Sequence, residues 1–243
     1  MAALSVDLAR LGLAQGDIVL VHSSFRSLQV GNPEDIVCAL VNLIGPDGTL
    51  MMPALSYRQQ PCHIHDTRST PTCVGFLSEY FRTRTGTVRS LHPTHSVCAI
   101  GRRANEMLGD HFLDRTPCGP NSPFNRLIEV GGKILMIGCG LRPNTTMHAV
   151  EEHVVPAYLL GLEREYEITG ADGVTFRTTY VTHGFRGVHQ RYDRAASLLS
   201  ASDLSSGQVG SAECHLINAA ALYQVAVDKM NRDPFYFVEP VHP

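Results

Sequence analysis

The chain has 243 residues, of which 44% are hydrophobic and 18% are charged, and its formal net charge is −3 at pH 7. This length suits one large domain with a substantial core, and this composition excludes a long disordered tail and a polyanion-binding surface. Nucleic acid is therefore not an expected partner.

The N-terminal sequence and the pattern of cysteines indicate the cellular compartment in which the protein is expected. The first 25 residues include Asp7 and Arg10 and contain no apolar run as long as a signal peptide or a membrane span requires. We therefore expect a cytoplasmic protein that does not enter a membrane. The seven cysteines are an odd number, have no CxxC spacing and lie partly in apolar segments, so we expect buried free thiols.

A strand, a helix and a second strand follow one another near the N-terminus. Residues 18–21 form a continuous apolar run, which is typical of a strand buried on both faces. The segment PEDIVCALVNLI has apolar residues at helical spacing, with Asn32 as N-cap, Pro33 at the first helical position and Gly45 after the end. Residues 49–53 form the second strand, and together these elements predict a βαβ unit.

The middle of the chain alternates between regular and irregular segments. Residues 75–84 are typical of a helix with Phe76, Leu77, Tyr80 and Phe81 on one face. We expect VRSLHPTHSVCAIG to be half loop and half strand, and the proline-rich DRTPCGPNSPFNRL to contain no long regular element. Residues 133–140 predict a strand that is apolar on both faces.

The C-terminal part of the chain has a different pattern. Alternating residues around Gly170 to Gly173 predict an antiparallel hairpin, residues 207–230 predict a helix, and DPFYFV predicts a short closing strand. The sequence contains no linker and no internal repeat. We therefore predict an α/β fold, as one mixed-sheet domain over residues 1–243 with a C-terminal hairpin-and-helix elaboration.

A short helix is predicted directly after the strand at 133–140, in the segment RPNTTMHAVEEHVVP. Asn144 or Thr145 can cap this helix, and Pro156 ends it. Its buried stripe is predicted to be Met147, Val150 and Val154. Open α/β sheets bind ligands at the carboxyl ends of their strands, so the helix begins where a site is expected.

His148 and two glutamates share one side of this helix. Glu151 and Glu152 follow the histidine by three and four residues, so either carboxylate can hold the imidazole. The helix N-terminus disfavours the imidazolium and a carboxylate favours it, which keeps an imidazole ready to take a proton near neutral pH. The pattern fits either a solvated helix face or a general base with its orienting acid.

The segment RSLHPTHS carries guanidinium, hydroxyl and imidazole groups that suit an anionic ligand such as a phosphate, and Ser23 and Ser24 suit a polar ligand. A zinc site is the alternative, with His92 and His95 as ligands and His63, His65 or His111 as additions. Pro93 disfavours a shared helical face for the first two histidines, and HExxH is missing. We therefore expect no bound metal.

Three common catalytic motifs are missing from the sequence, namely GxSxG, GxxxxGKS/T and GxGxxG; GCGLRP lacks the third glycine of the last. Serine hydrolases, P-loop enzymes and Rossmann oxidoreductases are therefore disfavoured. A cysteine nucleophile, Cys118 or Cys139, would need a nearby base that no motif supplies.

Several blocks of sequence occur in order between about Asp17 and Pro240. They are GDIVLVHSSFRSL, GPDGTLMMP, RSLHPTHSVCAIG, TPCGPNSPFNRL, GGKILMIGCGLRPNTTMHAVEE, GQVGSAECHLINAAAL and RDPFYFVEP. These blocks resemble those of the aminoglycoside 3-N-acetyltransferase family, the antibiotic acetyltransferases that use acetyl-coenzyme A (acetyl-CoA). The resemblance implies that family's α/β fold, acetyl-CoA as cosubstrate and direct transfer to an amine without an acyl-enzyme.

The resemblance also assigns roles to residues. It implies that His148 is the general base and Glu151 its partner. Thr146 or a backbone N–H near the start of the same helix is a candidate oxyanion donor. The implied coenzyme-binding residues are Ser23, Ser24, Phe25, Arg89, Ser90, His92, Thr94, His95, Ser96, Ser122 and Phe124. The candidates for the acceptor side are Tyr57, Asp66 and Glu152.

The expected small-molecule partner is an aminoglycoside, bound by a monomer or a homodimer. Aminoglycosides carry several positive amines, so an acidic pocket is expected. The carboxylates that are candidates for it are Asp66, Glu151, Glu152, Asp172 and Asp193. The segment SYRQQPCHIHDTRSTPT is rich in histidine and has one carboxylate, so an acceptor amine other than an aminoglycoside stays open. A metal-dependent hydrolase using the histidine cluster and a non-catalytic coenzyme-binding protein are the remaining alternatives.

Overall fold

The computed structural model describes residues 2–241, so residue 1 and residues 242–243 of the predicted domain lie outside the described part. The α-helices are α1 (Ala2–Leu11), α2 (Phe25–Leu28), α3 (Pro33–Ile44), α4 (Phe76–Thr83), α5 (Ala104–Leu108), α6 (Pro123–Glu129), α7 (Met147–Val154) and α8 (Ala219–Arg232). The strands are β1 (Ile18–Ser23), β2 (Thr49–Pro53), β3 (Ile64–Asp66), β4 (Val88–Arg89), β5 (Val97–Gly101), β6 (Lys133–Ile137), β7 (Leu160–Thr169), β8 (Thr175–His183), β9 (Val188–Gln190), β10 (Leu204–Val209), β11 (Ala212–Asn218) and β12 (Val238–Pro240).

A mixed seven-stranded sheet forms the centre of the fold, in the order β10-β11-β6-β1-β2-β5-β4. β1 is parallel to both β2 and β6, whereas β5, β4, β11 and β10 pair antiparallel to their neighbours. β3, β7 and β8 form a second sheet, and β9 pairs with β12. The predicted mixed-sheet α/β fold is confirmed.

The predicted βαβ unit is present as β1, α3 and β2. The Asn32 side chain accepts a hydrogen bond of 3.0 Å from the amide of Glu34, which caps α3. Pro33 occupies the first helical position, and Gly45 follows the helix with φ of 69°, a value that glycine adopts without strain. These local signals explain why the boundaries of α3 could be predicted.

The two faces of the sheet pack against different helices. Leu20 of β1 belongs to one hydrophobic core, which also contains side chains of α6, α7 and α8. Val19 and Val21 of the same strand belong to the other core, together with side chains of α1, α3 and α4. Both faces of β1 are therefore buried, which explains the continuous apolar run in its sequence.

The predicted helix at 207–230 is wrong in its first half. Residues 204–209 and 212–218 form the antiparallel hairpin β10-β11, and the helix begins only at Ala219. Gly210 makes the turn with φ of 56°, and the buried residues of β11 alternate with more exposed ones. The apolar residues of this segment resemble the apolar stripe of a helix, but within residues 212–216 they recur at every second position, which is the period of a strand.

Smaller differences concern the ends of elements. α6 begins inside the segment for which no long regular element is predicted, with Ser122 accepting a hydrogen bond from the amide of Asn125. The strand predicted at 133–140 ends at Ile137, and the closing strand begins at Val238. Phe76 is exposed, although Leu77 and Phe81 of the same predicted face are buried. α1 has no counterpart among the predicted elements.

The cysteines of the chain are all free thiols, as expected. Cys98, Cys118 and Cys214 are buried, whereas Cys62 is exposed, so burial was predicted correctly for only part of them. Between residues 2 and 241, none of the helices combines the length and the apolar character needed to cross a membrane.

Candidate active site

A cavity of about 820 Å³ lies at one edge of the central sheet. β1, β2 and β6 run in the same direction, and their carboxyl ends meet at this edge. Ser23 and Pro53, at the ends of β1 and β2, line the cavity, and so does Cys139 just after β6. β5 is antiparallel to β2, so Thr94 and His95 at its start lie at the same edge. Open α/β sheets bind ligands at this position.

Helix α7 carries His148 to the wall of this cavity. The Asn144 side chain accepts a hydrogen bond of 3.1 Å from the amide of Thr146, and Met147 is buried in the core. The helix ends at Val154, and the next residue, Val155, caps it with a left-handed backbone with φ of 54°, directly before Pro156. The His148 side chain lines the cavity and remains 12% exposed.

The carboxylate of Glu151 is fully buried behind His148 and accepts three hydrogen bonds. Oε2 lies 2.9 Å from Nδ1 of His148 and 2.7 Å from the hydroxyl of Tyr192. Oε1 accepts from the hydroxyl of Tyr158 at 2.9 Å. Burial raises the pKa of Tyr192 well above its usual value, so this phenol keeps the proton that it donates. The donors compensate the carboxylate for its lost hydration.

This network fixes which nitrogen of His148 carries the proton. A carboxylate only accepts hydrogen bonds, so the Nδ1 atom beside Glu151 is protonated in the neutral imidazole. Nε2 then holds the lone pair and is the ring nitrogen that remains for a ligand in the cavity.

A second pair of histidine and glutamate lies beside the first. Nε2 of His183, the last residue of β8, lies 2.7 Å from Oε1 of Glu152. The amide of Cys118 donates to the same oxygen at 2.6 Å, and the hydroxyl of Thr116 donates to the other. Burial raises the pKa of Glu152 to about 7 and lowers that of His183 well below its usual value. His183 is therefore neutral at physiological pH.

Two further imidazoles line the cavity. Nδ1 of His95 lies 2.9 Å from the hydroxyl oxygen of Thr94, and burial lowers the pKa of His95 well below its usual value. His22, next to Ser23 at the end of β1, has a buried Nε2 without a hydrogen-bond partner among the described residues. Burial, with a smaller effect of a charge on His148, lowers the pKa of His22 to about 3.

The histidines that could hold a metal differ from those that the sequence indicated. His95, His148 and His183 each place one nitrogen within 4.8 Å of the others. Of the histidines named for the alternative zinc site, only His95 belongs to this group. His92 instead stacks on His111, with ring centroids 4.7 Å apart, and both are buried.

Three of the predicted coenzyme-binding residues line the cavity, namely Ser23, Thr94 and His95. Arg89 has a different environment, because its guanidinium donates to the hydroxyl of Ser96 at 2.8 Å and to the carbonyls of Ala54 and Thr70 at 2.8 and 2.6 Å. These bonds tie together the segments after β2 and before β5. Arg89 therefore stabilises the loops that form the cavity wall, but its own side chain does not line the cavity.

The remaining predicted coenzyme-binding residues also lie outside the lining. Ser90 accepts from the amide of Val97, and Ser24 lies 2.9 Å from the hydroxyl of Ser27. Nδ1 of His92 accepts from the amides of Thr94 and His95 and thereby shapes the loop between them. Phe25 packs on Phe76, Phe124 is buried in the core, and Ser122 caps α6.

On the predicted acceptor side, only Tyr57 lines the cavity. Asp66 accepts hydrogen bonds from the amides of Arg68 and Ser69, and Glu152 faces His183. Asp172 accepts from an amide in the β7-β8 turn, and Asp193 pairs with Arg191. The predicted acidic residues therefore do not form one acidic surface. The described lining contains Arg142 and Arg164 and no carboxylate.

Several residues of the site are not among those predicted from the sequence. His22 had a weak signal, because it is a polar residue at the end of an apolar strand. His183, Tyr158 and Tyr192 had none, because the fold brings them to α7 from β8, from the segment before β7 and from a 3-10 helix at 192–197. Thr146, the predicted oxyanion donor, is buried; its hydroxyl has no partner among the described residues, and its neighbours Asn144 and Thr145 line the cavity.

Comparison with known proteins gives consistent results. Residues 20–231 match the sequence profile of the family described as Aminoglycoside 3-N-acetyltransferase. Aminoglycoside N(3)-acetyltransferase IV from Salmonella is 32% identical to this chain over 243 residues, which cover 98% of this chain and 90% of that protein. Aminoglycoside N(3)-acetyltransferase VII from Streptomyces paromomycinus is 29% identical over 271 residues, covering 95% and 92% of the two chains.

Solved structures resemble the fold over almost its whole length. The crystal structure of aminoglycoside acetyltransferase AAC(3)-IVa in complex with a gentamicin has a TM-score of 0.82 and 30% identity, and it covers 100% of this chain and 91% of its own. The structure of AAC-IIIb as a binary complex with CoASH has a TM-score of 0.81 and 26% identity, with coverage of 99% and 98%.

Proposed function

The chain belongs to the aminoglycoside 3-N-acetyltransferase family of acyltransferases, and we propose that it transfers the acetyl group of acetyl-CoA directly to the 3-amino group of an aminoglycoside. His148 is the general base in this proposal, and Glu151 orients it. The observation that carries the proposal is the hydrogen bond of 2.9 Å between the buried Glu151 and Nδ1 of His148, since it leaves Nε2 as the acceptor for a proton.

The first task of the site is to take a proton from the acceptor amine. An amine is mostly protonated near pH 7, so it first releases one proton to solvent. Only the neutral form has the lone pair that attacks a thioester carbonyl. Nε2 of His148 receives the proton that the nitrogen loses as the new C–N bond forms. Glu151 stabilises the resulting imidazolium, and the same proton then goes to the departing coenzyme thiolate. General base catalysis of this kind contributes about 10² to 10⁴ in rate.

Positioning of the two substrates and stabilisation of the oxyanion provide the rest of the acceleration. The cavity volume of about 820 Å³ lies within the range of roughly 300 to 1,000 Å³ that is common for small-molecule sites. Thr146 is the proposed oxyanion donor. Its buried hydroxyl is unpaired among the described residues, and its neighbours Asn144 and Thr145 line the cavity, whereas Thr146 itself does not. Ser23, Thr94 and His95 are the proposed contacts of the pantetheine arm.

The lining of the cavity supports a second candidate acceptor. Arg164 and Arg142 line the cavity, the latter with Nη2 3.6 Å from a carboxylate oxygen of Glu239, and the described lining contains no carboxylate to pair with several ammonium groups. The carboxylates of Glu151 and Glu152 lie behind His148 and His183, so they do not contact a cation in the cavity directly. An amine with fewer positive charges than an aminoglycoside therefore fits the same chemistry, and acetyl transfer to such an amine is the alternative function.

A thiol-release assay with acetyl-CoA and a panel of amines tests the proposal and separates the two acceptors. The panel contains several aminoglycosides, each matched with a singly charged amine of similar size, and the His148→Ala variant gives the background. Release with an aminoglycoside, followed by identification of a 3-N-acetyl product, supports the first candidate. Release with singly charged amines alone supports the second. Folded enzyme that binds coenzyme A and releases thiol with no amine of the panel contradicts both.

A further inference from the structure

We infer that His95, His148 and His183 form a site for one divalent transition-metal ion, best suited to Zn²⁺, in the wall of the cavity. We also infer that the ion inhibits the enzyme, because it occupies the nitrogen that serves as the base. The second statement rests on the proposed function, whereas the first depends only on the arrangement of the three imidazoles.

The three rings are arranged around a common point. One nitrogen from each lies within 4.8 Å of the others. The ring centroids are 5.0 Å apart for His148 and His183, 5.3 Å for His95 and His183, and 5.9 Å for His95 and His148. The ring planes are inclined by 69° to 73°, so the rings meet edge to face and are not stacked. Nitrogens in a tetrahedral zinc site lie roughly 3.3 Å apart, so small side-chain rotations close the remaining distance.

Each imidazole is held from behind by a polar partner, as is common for histidines that bind zinc. Glu151 accepts from Nδ1 of His148 at 2.9 Å, and Glu152 accepts from Nε2 of His183 at 2.7 Å. The hydroxyl oxygen of Thr94 lies 2.9 Å from Nδ1 of His95. The opposite nitrogen of each ring is thereby left as the ligand atom.

His183 provides an independent observation that points to a ligand. Its Nδ1 atom is buried and has no hydrogen-bond partner among the described residues, and its side chain is only 4% exposed. An unpaired buried polar atom is costly in a folded protein. A metal ion bound at this lone pair would satisfy it, and the nearby cavity provides space for a fourth ligand.

The charges behind the rings also suit a cation. Two buried carboxylates, Glu151 and Glu152, contact two of the three imidazoles and offset the charge of a divalent ion. Three neutral imidazoles with an open fourth position form a ligand set that suits zinc. Other divalent ions follow the usual order of affinity for nitrogen ligands, with Cu²⁺ above Zn²⁺ and Co²⁺.

Metal binding and base catalysis use the same lone pair on Nε2 of His148. An enzyme molecule with the ion bound cannot accept the proton of the amine, so the ion must leave before transfer occurs. The reacting nitrogen of the amine must itself come within hydrogen-bonding distance of Nε2, so the ion and the amine cannot both occupy this position. Zn²⁺ is therefore expected to inhibit competitively with respect to the amine, raising its apparent KM without changing kcat, and chelation by EDTA should restore the full rate.

The direct test measures metal binding without acetyl transfer. Metal-free enzyme is dialysed against Zn²⁺, the bound metal is quantified, and Co²⁺ is used as a probe whose visible absorption reports a tetrahedral site. We expect one equivalent per chain. The variants His95→Gln, His148→Gln and His183→Gln should each bind Zn²⁺ at least about tenfold more weakly. Glu152→Gln keeps the three ligands and should weaken binding by about 10- to 100-fold through His183.

Control variants distinguish binding by the three histidines from binding by other side chains and from loss of folding. His63→Gln changes an exposed histidine, and Cys62→Ser with Cys139→Ser removes the thiols of the cavity; all should keep full affinity. Unchanged affinity in His148→Gln and His183→Gln, or its loss in the cysteine variant, overturns the inferred site. Agreement of the three histidine variants, each with a native circular dichroism spectrum, excludes misfolding as the cause.

The two proposals fail in different ways. Enzyme that binds one equivalent of Zn²⁺ through the three histidines but acetylates no amine retains the metal site and contradicts the proposed function. Enzyme that acetylates its amine and binds no Zn²⁺ contradicts the metal site alone. Binding at the three histidines without any inhibition contradicts the statement that the ion occupies the base.

Discussion

Nδ1 of His148 lies 2.9 Å from Oε2 of Glu151, and the two side chains differ in their access to the cavity: the carboxylate is fully buried, whereas the imidazole is partly exposed. The acid therefore never competes with the imidazole for a ligand in the cavity. It can only orient the ring and stabilise its charged form. This division of roles leads to distinct predictions for the two residues and their neighbours.

The variant Glu151→Gln should lower kcat by about 10² to 10⁴, because an amide no longer stabilises the imidazolium and can hold His148 in the wrong tautomer. The amide group also faces the hydroxyls of Tyr158 and Tyr192, so we expect a loss of about 1 to 3 kcal/mol in unfolding free energy. Steady-state kinetics and denaturant titration measure both effects. Glu213→Gln, on an exposed position of β11, is the matched control. Unchanged kcat in folded Glu151→Gln would remove the role assigned to this carboxylate.

Tyr158 and Tyr192 form a natural pair for comparison, because both donate to Glu151 but only Tyr192 also lies 2.9 Å from Nδ1 of His148. Tyr158→Phe and Tyr192→Phe should each cost about 1 kcal/mol in unfolding free energy, the typical value for one hydrogen bond. Tyr192→Phe should in addition lower kcat by roughly tenfold and shift its pH profile. Equal effects of the two variants on kcat would show that Tyr192 acts only through the carboxylate.

The hydrogen bonds of Arg89 are expected to contribute to the unfolding free energy of the protein. The Arg89 guanidinium donates to three carbonyls and one hydroxyl, a set that the single ammonium of lysine cannot reproduce. Arg89→Lys should therefore lower the unfolding free energy by about 2 to 4 kcal/mol, with the KM for acetyl-CoA changed by less than about threefold. Thermal unfolding and coenzyme titration measure these quantities. A large increase in KM without loss of stability would instead support direct binding of the coenzyme by Arg89.

Because several histidines are buried, we expect the unfolding free energy to decrease at acidic pH. Burial lowers the pKa of His65 from its usual value of 6.5 to about 3. Below pH 6.5 the unfolded chain takes up a proton that the folded chain cannot bind until the pH approaches 3, so stability is lost as the pH falls through this range. One such group contributes a slope of about 1.4 kcal/mol per pH unit.

The comparison of wild type with His65→Gln isolates this contribution. Between about pH 6 and pH 4, the unfolding free energy of the variant should fall less steeply, by about 1.4 kcal/mol per pH unit. Urea denaturation at a series of pH values measures the slope, and His63→Gln, at an exposed neighbouring position, should retain the slope of the wild type. Parallel curves for wild type and His65→Gln would contradict the buried neutral state of His65.

The elements that sequence analysis predicts correctly are those with local signals. Asn32, Pro33 and Gly45 mark the ends of α3, and continuous apolar runs mark β1 and β6, which are buried on both faces. The spacing of His148 and Glu151 on one helix also makes their contact predictable, because residues three apart are neighbours on a helix surface. The prediction of a helix at β11 is wrong because it groups the apolar residues of this strand with those of α8, whereas within the strand buried residues alternate with more exposed ones.

The rest of the site depends on contacts between distant segments. Tyr192 is 41 residues from Glu151 along the chain, and His183 is 31 residues from Glu152. No local pattern predicts such contacts. Arg89 illustrates a second difficulty, since a guanidinium in an irregular segment can either bind an anion or bond to backbone carbonyls. Only the fold decides between these roles.

The central claim is that Nε2 of His148 takes the proton of the acceptor amine, and the most direct measurement compares His148→Ala with wild type in single-turnover acetyl transfer. We expect the rate to fall by about 10² to 10⁴, equivalent to about 2.7 to 5.5 kcal/mol, while the Kd for coenzyme A changes by less than about threefold. A folded His148→Ala enzyme that binds coenzyme A and transfers acetyl groups at the rate of the wild type would contradict the claim.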